Sequence, residues 1–104
     1  MNFTCEEYAK YIIDNMGRAQ LSNALTITTK FDVDNGYKFT DILINIQKYL
    51  DKLIIEDKFD KMKCYKLLVI VSNTLNDLNN SKNINKIYIY NDFIINIWKV
   101  FNGY

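Results

Sequence analysis

The residue types that usually perform chemistry in proteins are scarce in this chain and poorly arranged. It has no histidine, a single arginine (Arg18), and only two cysteines, Cys5 and Cys64, far apart in the sequence. Histidine is the usual general base and the commonest metal ligand, so its absence removes most enzyme mechanisms. Both cysteines fall on apolar series at helical spacing, where we expect them to pack in the core rather than act as nucleophiles. We therefore expect no enzyme activity and no cofactor.

Several acidic residues occur in pairs, but these pairs do not form a catalytic dyad. Adjacent acids such as Glu6 and Glu7 point to different faces of a helix. Asp32 and Asp34 are two residues apart, so on a strand they share one face and could hold a cation. We favour the alternative, a solvated strand edge beside the turn formed by residues 34–36.

Lysines cluster on two consecutive predicted helices, with aromatic residues between them. Such an arrangement could follow a phosphate backbone and stack on bases. Acidic residues neutralise the same region, and the whole chain has 13 basic and 12 acidic residues. We favour a solvated face of mixed charge and do not expect a nucleic-acid partner. The lysines are Lys48, Lys52, Lys58, Lys61, Lys63 and Lys66, and the aromatic residues are Tyr49, Phe59 and Tyr65.

Tyrosine is abundant, and several tyrosines lie near the ends of predicted elements rather than on their apolar series. Tyr88 and Tyr90 alternate with Ile87 and Ile89 on a predicted strand, so the two tyrosines would stand together on its outer face. Exposed aromatic residues are enriched at protein interfaces. The alternative is that a helix of the same domain covers this face. We predict a protein-binding surface that includes Tyr88, Tyr90, Tyr37, Asp32 and Asp34.

Four helices are predicted to position these residues. The first has the clearest signals, because Thr4 and Glu7 form a capping box and Phe3 can pack on Tyr8 as a hydrophobic staple. The other three follow from apolar residues at helical spacing. One begins near Thr40, one begins at about Lys58 with Met62 and Tyr65 among its inward residues, and the last is capped by Asn91 or Asp92.

Two short strands complete the predicted fold. Residues 25–33 and 86–90 alternate between two sets of side chains and are rich in β-branched or aromatic types. Residues 18–33 also suit a short helix, so helix and strand both stay open for that segment. The polar run over residues 76–85 predicts a loop. The result is a single α+β domain over residues 1–104, dominated by helix, in the order α-β-α-α-β-α.

The expected compartment is the cytoplasm. No apolar stretch approaches the ~20 residues that cross a bilayer, so we expect no membrane association. Glu6 and Glu7 stand where a secretory signal would carry positive charge. Two separated cysteines also suit a reducing compartment.

In overall character the chain resembles the small immunity proteins that are encoded beside bacterial toxins, including those of contact-dependent growth inhibition. The likeness lies in size and in a composition rich in Ile, Asn and Lys, and it assigns no role to a particular residue. It implies a non-catalytic protein that binds and neutralises a cognate toxin, commonly a nuclease. Phage antagonists such as anti-CRISPR proteins share this character and form the first alternative.

A second resemblance is to the helical collar of bacterial clamp-loader subunits. Asn83-Ile84-Asn85 precedes an apolar final helix, here Ile87 to Ile97, and the segment from Gly17 to Leu25 is similar to a turn in that family. This resemblance implies a replication module. Together with the clustered lysines it forms the second alternative, a protein that binds single-stranded nucleic acid.

Overall fold

The computed structural model describes residues 4–16, 39–80 and 86–103, and these residues form a bundle of helices. The helices are α1 (Cys5–Met16), α2 (Phe39–Glu56), α3 (Lys61–Asn80) and α4 (Lys86–Phe101). No strand occurs within the three described ranges. None of the helices in them has both the length and the apolar character that crossing a bilayer requires.

The capping box predicted at the start of α1 is confirmed. The Glu7 backbone N–H donates to Thr4 Oγ1 at 3.1 Å, and the Thr4 N–H donates to Glu7 Oε1 at 3.3 Å. These two bonds satisfy amide groups that the start of a helix leaves without an intrahelical acceptor. Phe3, the predicted staple partner of Tyr8, lies outside the described residues.

A tight reversal between α2 and α3 orients the two helices against each other. Asp57 follows α2 with a φ of 56°, in the left-handed region that usually ends a helix at glycine. Its N–H donates to the Ile54 carbonyl at 3.3 Å, and the next N–H donates to the Leu53 carbonyl at 3.3 Å, which is a Schellman motif. Asp60 then caps α3, since its Oδ1 accepts from the Met62 N–H at 2.9 Å.

Each helix packs against the next one along the chain, and α1 also contacts α4. The described helices therefore share one hydrophobic core, to which all four contribute buried side chains. Burial of each large aliphatic or aromatic side chain contributes about 1.5–3 kcal/mol to folding. The most buried include Tyr8 from α1, Leu43, Ile46 and Leu50 from α2, Leu67 and Val71 from α3, and Phe93, Ile94 and Ile97 from α4.

The predicted strand over residues 86–90 is wrong, and so is the α+β class, because α4 runs through this segment and the described residues are helical. The alternation of Ile and Tyr indicates a strand over residues 86–90, whereas an apolar series at helical spacing, which starts at Tyr90 and continues through Phe93, indicates a helix. On the helix both rings reach Phe39 of α2, with centroids 4.8 Å and 5.5 Å away. Packing of this kind overrides a local preference for strand. The other predicted strand, residues 25–33, lies outside the described residues.

The limits of α3 also differ from the predicted ones. The helix begins at Lys61 rather than at about residue 58, because Asp60 is the residue that caps it. It extends to Asn80, so residues 76–80 are helix and not part of a loop. Leu75 and Leu78 explain the extension, since both pack against the core and continue the helical series through a polar stretch.

Candidate protein-binding surface

The structure separates the two tyrosines that were predicted to stand together. Tyr88 is 68% exposed on α4, whereas Tyr90 is half-buried against Phe39. Residues two apart on a helix point about 200° away from each other, so Tyr88 and Tyr90 do not share a face. Tyr37, Asp32 and Asp34 lie outside the described residues, and their role in binding stays a prediction.

The cysteines pack in and against the core, as predicted. Cys64 is buried on α3, and Cys5 is half-buried on α1, where its Sγ accepts a hydrogen bond from Asn45 Nδ2 at 3.3 Å. Burial raises the pKa of both thiols, and the nearby charges of Asp41 and Asp60 add to the rise for Cys5 and Cys64 respectively. A raised pKa keeps each sulfur in the weakly nucleophilic thiol form at neutral pH. Within the described residues no three acidic or cysteine side chains come together as a metal site would require.

Helix α3 carries a line of exposed apolar side chains. Met62 is 66% exposed, Tyr65 is 52% exposed and Val69 is 59% exposed. Their spacing of three and four residues places them within about 60° of arc on one side of the helix. We call these three residues the α3 ridge. The opposite side of the same helix is buried in the core through Cys64, Leu67 and Val71.

The exposed apolar area of the α3 ridge is large enough to form part of a binding surface. Three side chains of this size, more than half exposed, present on the order of 300 Å² of mostly apolar surface, which is within the range of functional patches on monomers. Met and Tyr are enriched at protein interfaces, and a partly exposed tyrosine gives a large contact area for little loss of side-chain entropy. Within the described ranges the core side of α3 is filled by other residues, so the exposed parts of these three side chains add nothing to the packing of that core.

Positive charge lies along one flank of the α3 ridge. Lys66 is exposed and points about 40° from the direction of Met62, and the partly exposed Lys63 lies further round the same side. The ion pairs found among the described residues join Lys58 to Glu56 at 3.3 Å and Lys61 to Asp57 at 3.6 Å. Neither pair involves Lys63 or Lys66, so no ion pair within the described ranges neutralises these two charges.

Two of the three aromatic residues that could stack on bases make contacts within the fold instead. The Tyr49 hydroxyl donates to Asp14 Oδ1 at 2.8 Å across α1 and α2. Burial and this hydrogen bond raise the pKa of Tyr49 to about 12. Phe59 packs edge-on against Phe101 with ring centroids 5.8 Å apart. Of the three aromatic residues, Tyr65 is the exposed one.

A groove between α1 and α2 gathers a second set of charged side chains. It encloses about 430 Å³ and is lined by acids as well as bases. Two glutamates oppose three lysines, and so small an excess of positive charge gives little attraction for a polyanion. The charged lining residues are Glu6, Glu7, Lys10, Lys48 and Lys52.

The prediction that Met62 and Tyr65 lie on the inward side of α3 is wrong, since both are exposed. The sequence pattern does not single out Val69. The sequence of α3 contains two apolar series at helical spacing, but it does not show which of them faces the core. One passes through Cys64, Leu67 and Val71, and the other is the α3 ridge. A helix that is apolar on two sides usually has two sets of neighbours, one of which can lie in another protein.

In comparisons of sequence and of structure, no protein-family model, no curated protein and no solved structure matches this chain.

Proposed function

We propose that this chain is a non-catalytic protein-binding protein that holds its partner through the α3 ridge. The observation that carries the proposal is the exposure of Met62, Tyr65 and Val69 together on a helix whose other side fills the core. Apolar and aromatic groups in such a line are typical of the central part of an interface. A stable interface buries about 800 Å² on each partner, so the flanks of α3 would supply the rest.

The partner class that we propose is a bacterial toxin encoded beside this chain, with the chain acting as its immunity protein. Small size and the lack of histidine support a role in stoichiometric binding rather than in turnover. The resemblance in size and composition to immunity proteins of contact-dependent growth inhibition supports the toxin as the partner. In this role the protein acts in the cytoplasm, binds one toxin molecule and blocks it.

Co-expression with the product of the neighbouring gene tests the proposal. The two proteins should co-elute in size-exclusion chromatography as a complex of fixed stoichiometry, and the complex should lack the toxic activity of the free neighbour. A neighbour that is not a toxin, or a chain that never co-elutes with it, would contradict the immunity role. Co-elution with a bacterial defence protein instead would replace the immunity role by the phage-antagonist alternative while keeping the binding surface.

A further inference from the structure

The α3 ridge has the shape and spacing of a helix that inserts into a groove. Its residues stand at positions i, i+3 and i+7 of a helix, which is the anchor pattern by which amphipathic helices lie in apolar grooves. The outer side of a single helix is convex, so the complementary surface has to be concave. Along the axis the ridge covers about 10 Å of α3, two turns of helix.

The charges beside the ridge differ on its two sides. On the side of Lys63 and Lys66, positive charge is not balanced by an ion pair among the described residues. On the other side, Lys61 is neutralised by Asp57 at 3.6 Å. The next position on that side is the exposed, neutral Ser72. Beside the ridge itself a partner therefore meets apolar surface in the middle and positive charge along one edge. Further along the side of Lys63 and Lys66, the groove between α3 and α4 is lined by two acidic residues, Asp77 and Asp92.

A second copy of this chain is a poor occupant. A two-fold axis through the middle of the ridge would bring Lys66 of each copy close to Lys66 of the other, and like charges at close range are unfavourable. The next acidic residue along α3 is Asp77, eleven residues from Lys66 and so about 16 Å away along the axis, which is too far to offset this repulsion. Charge complementarity therefore favours a different protein that supplies the carboxylates.

Building on the proposed function, we infer that the partner presents an apolar groove for Met62, Tyr65 and Val69, with a wall of Asp and Glu along the side that faces Lys63 and Lys66. The apolar groove supplies most of the affinity, and the acidic wall fixes the orientation of α3 and speeds association. Paired charges at the rim of an interface act mainly on the association rate and make it depend on salt.

The test measures association of this chain with the product of the neighbouring gene, for wild type and two double variants. Lys63→Glu/Lys66→Glu reverses the sign of the charge beside the α3 ridge. Lys10→Glu/Lys48→Glu makes the same change of charge on α1 and α2 and serves as a matched control. We expect the first double variant to slow association by roughly tenfold or more at low salt and to lose most of the salt dependence. We expect the control to stay within about threefold, and circular dichroism verifies that both variants keep their helices.

The possible outcomes separate the inference from the proposed function. If wild-type chain forms no complex, the proposed function is wrong. If the complex forms and both double variants associate equally fast, the inference that the partner has an acidic wall is wrong, although the proposed binding function stands. A dimer of the free chain in analytical ultracentrifugation that Tyr65→Ala dissociates would show that the ridge is a contact between copies. Binding of an oligothymidine probe that the Lys63→Glu/Lys66→Glu variant abolishes would make nucleic acid the occupant.

Discussion

Two substitutions on α3 should have very different effects on the stability of the fold. Leu67 is fully buried in the core, whereas Val69, two residues further on, is 59% exposed on the α3 ridge. If the ridge serves binding rather than folding, replacing Leu67 by Ala should destabilise the protein severely and replacing Val69 by Ala should not. Both variants carry alanine on the same helix, so each controls for the other.

The expected magnitudes follow from burial. Leu67→Ala leaves a cavity in a packed core and should cost about 2–5 kcal/mol. Val69→Ala removes two carbon groups that are about two-fifths buried, which at ~0.8 kcal/mol per buried group costs about 0.6 kcal/mol. Alanine is the better helix former by roughly 0.5 kcal/mol, which offsets most of that loss. The net change for Val69→Ala should stay within about 0.5 kcal/mol, as for an ordinary surface site.

Urea unfolding followed by far-UV circular dichroism measures both values. The slope of the free energy of unfolding against urea should be the same for wild type and both variants, so that the midpoints report stability directly. A loss above about 1 kcal/mol for Val69→Ala would exceed what surface sites show and would mean that the ridge packs within this chain. That result would refute the argument that the ridge is held ready for a partner.

Three further predictions test the fold that presents the ridge. Thr4→Ala should lower stability by about 1 kcal/mol by removing the capping box, and Tm by about 4–8 °C; thermal unfolding measures this, and Thr4→Ser should stay near wild type. The pKa of Tyr49 is raised to about 12, so its neutral form stabilises the fold fully below pH ~10, and this contribution is lost as pH rises through 12. Urea unfolding across that window should show a smaller decline for Tyr49→Phe, and an equal decline would contradict the raised pKa that burial and the hydrogen bond to Asp14 produce. Buried Cys64 should resist a thiol reagent until the protein unfolds, with Cys5→Ser used to isolate its signal, and rapid labelling in the native state would contradict its position in the core.

The sequence predicts an element well where local signals and packing agree. At the start of α1, the capping residues Thr4 and Glu7 and the apolar series all indicate a helix, and the structure confirms each of them. The apolar series of α2 likewise predicts which residues are buried, including Ile42, Leu43 and Ile46. In both helices the main apolar series lies on one side, so one orientation buries most of the apolar residues. Ile44 and Ile55 of α2 are the exceptions, because both are exposed on the opposite side.

The prediction fails where two periods or two apolar sides compete. At residues 86–90 the alternation of Ile and Tyr matches a strand, and the deciding contact is Tyr90 with Phe39, more than fifty residues away. On α3 both sides are apolar, and nothing local shows whether the core takes Leu67 or Tyr65. The choice depends on how α2 and α4 approach α3, which is a property of the assembled bundle. The candidate surface is therefore visible only once the fold is known.

The central claim, that the α3 ridge holds a protein partner, is tested most directly by two tyrosine variants. Tyr65→Ala and Tyr88→Ala remove the same exposed side chain from α3 and from α4, and calorimetry measures the affinity of each for the neighbouring gene's product. An interface anchor contributes about 2 kcal/mol or more, so Tyr65→Ala should weaken binding about 30-fold or more. Tyr88→Ala should leave the affinity within about threefold of wild type. The reverse pattern would contradict the claim and assign binding to the start of α4.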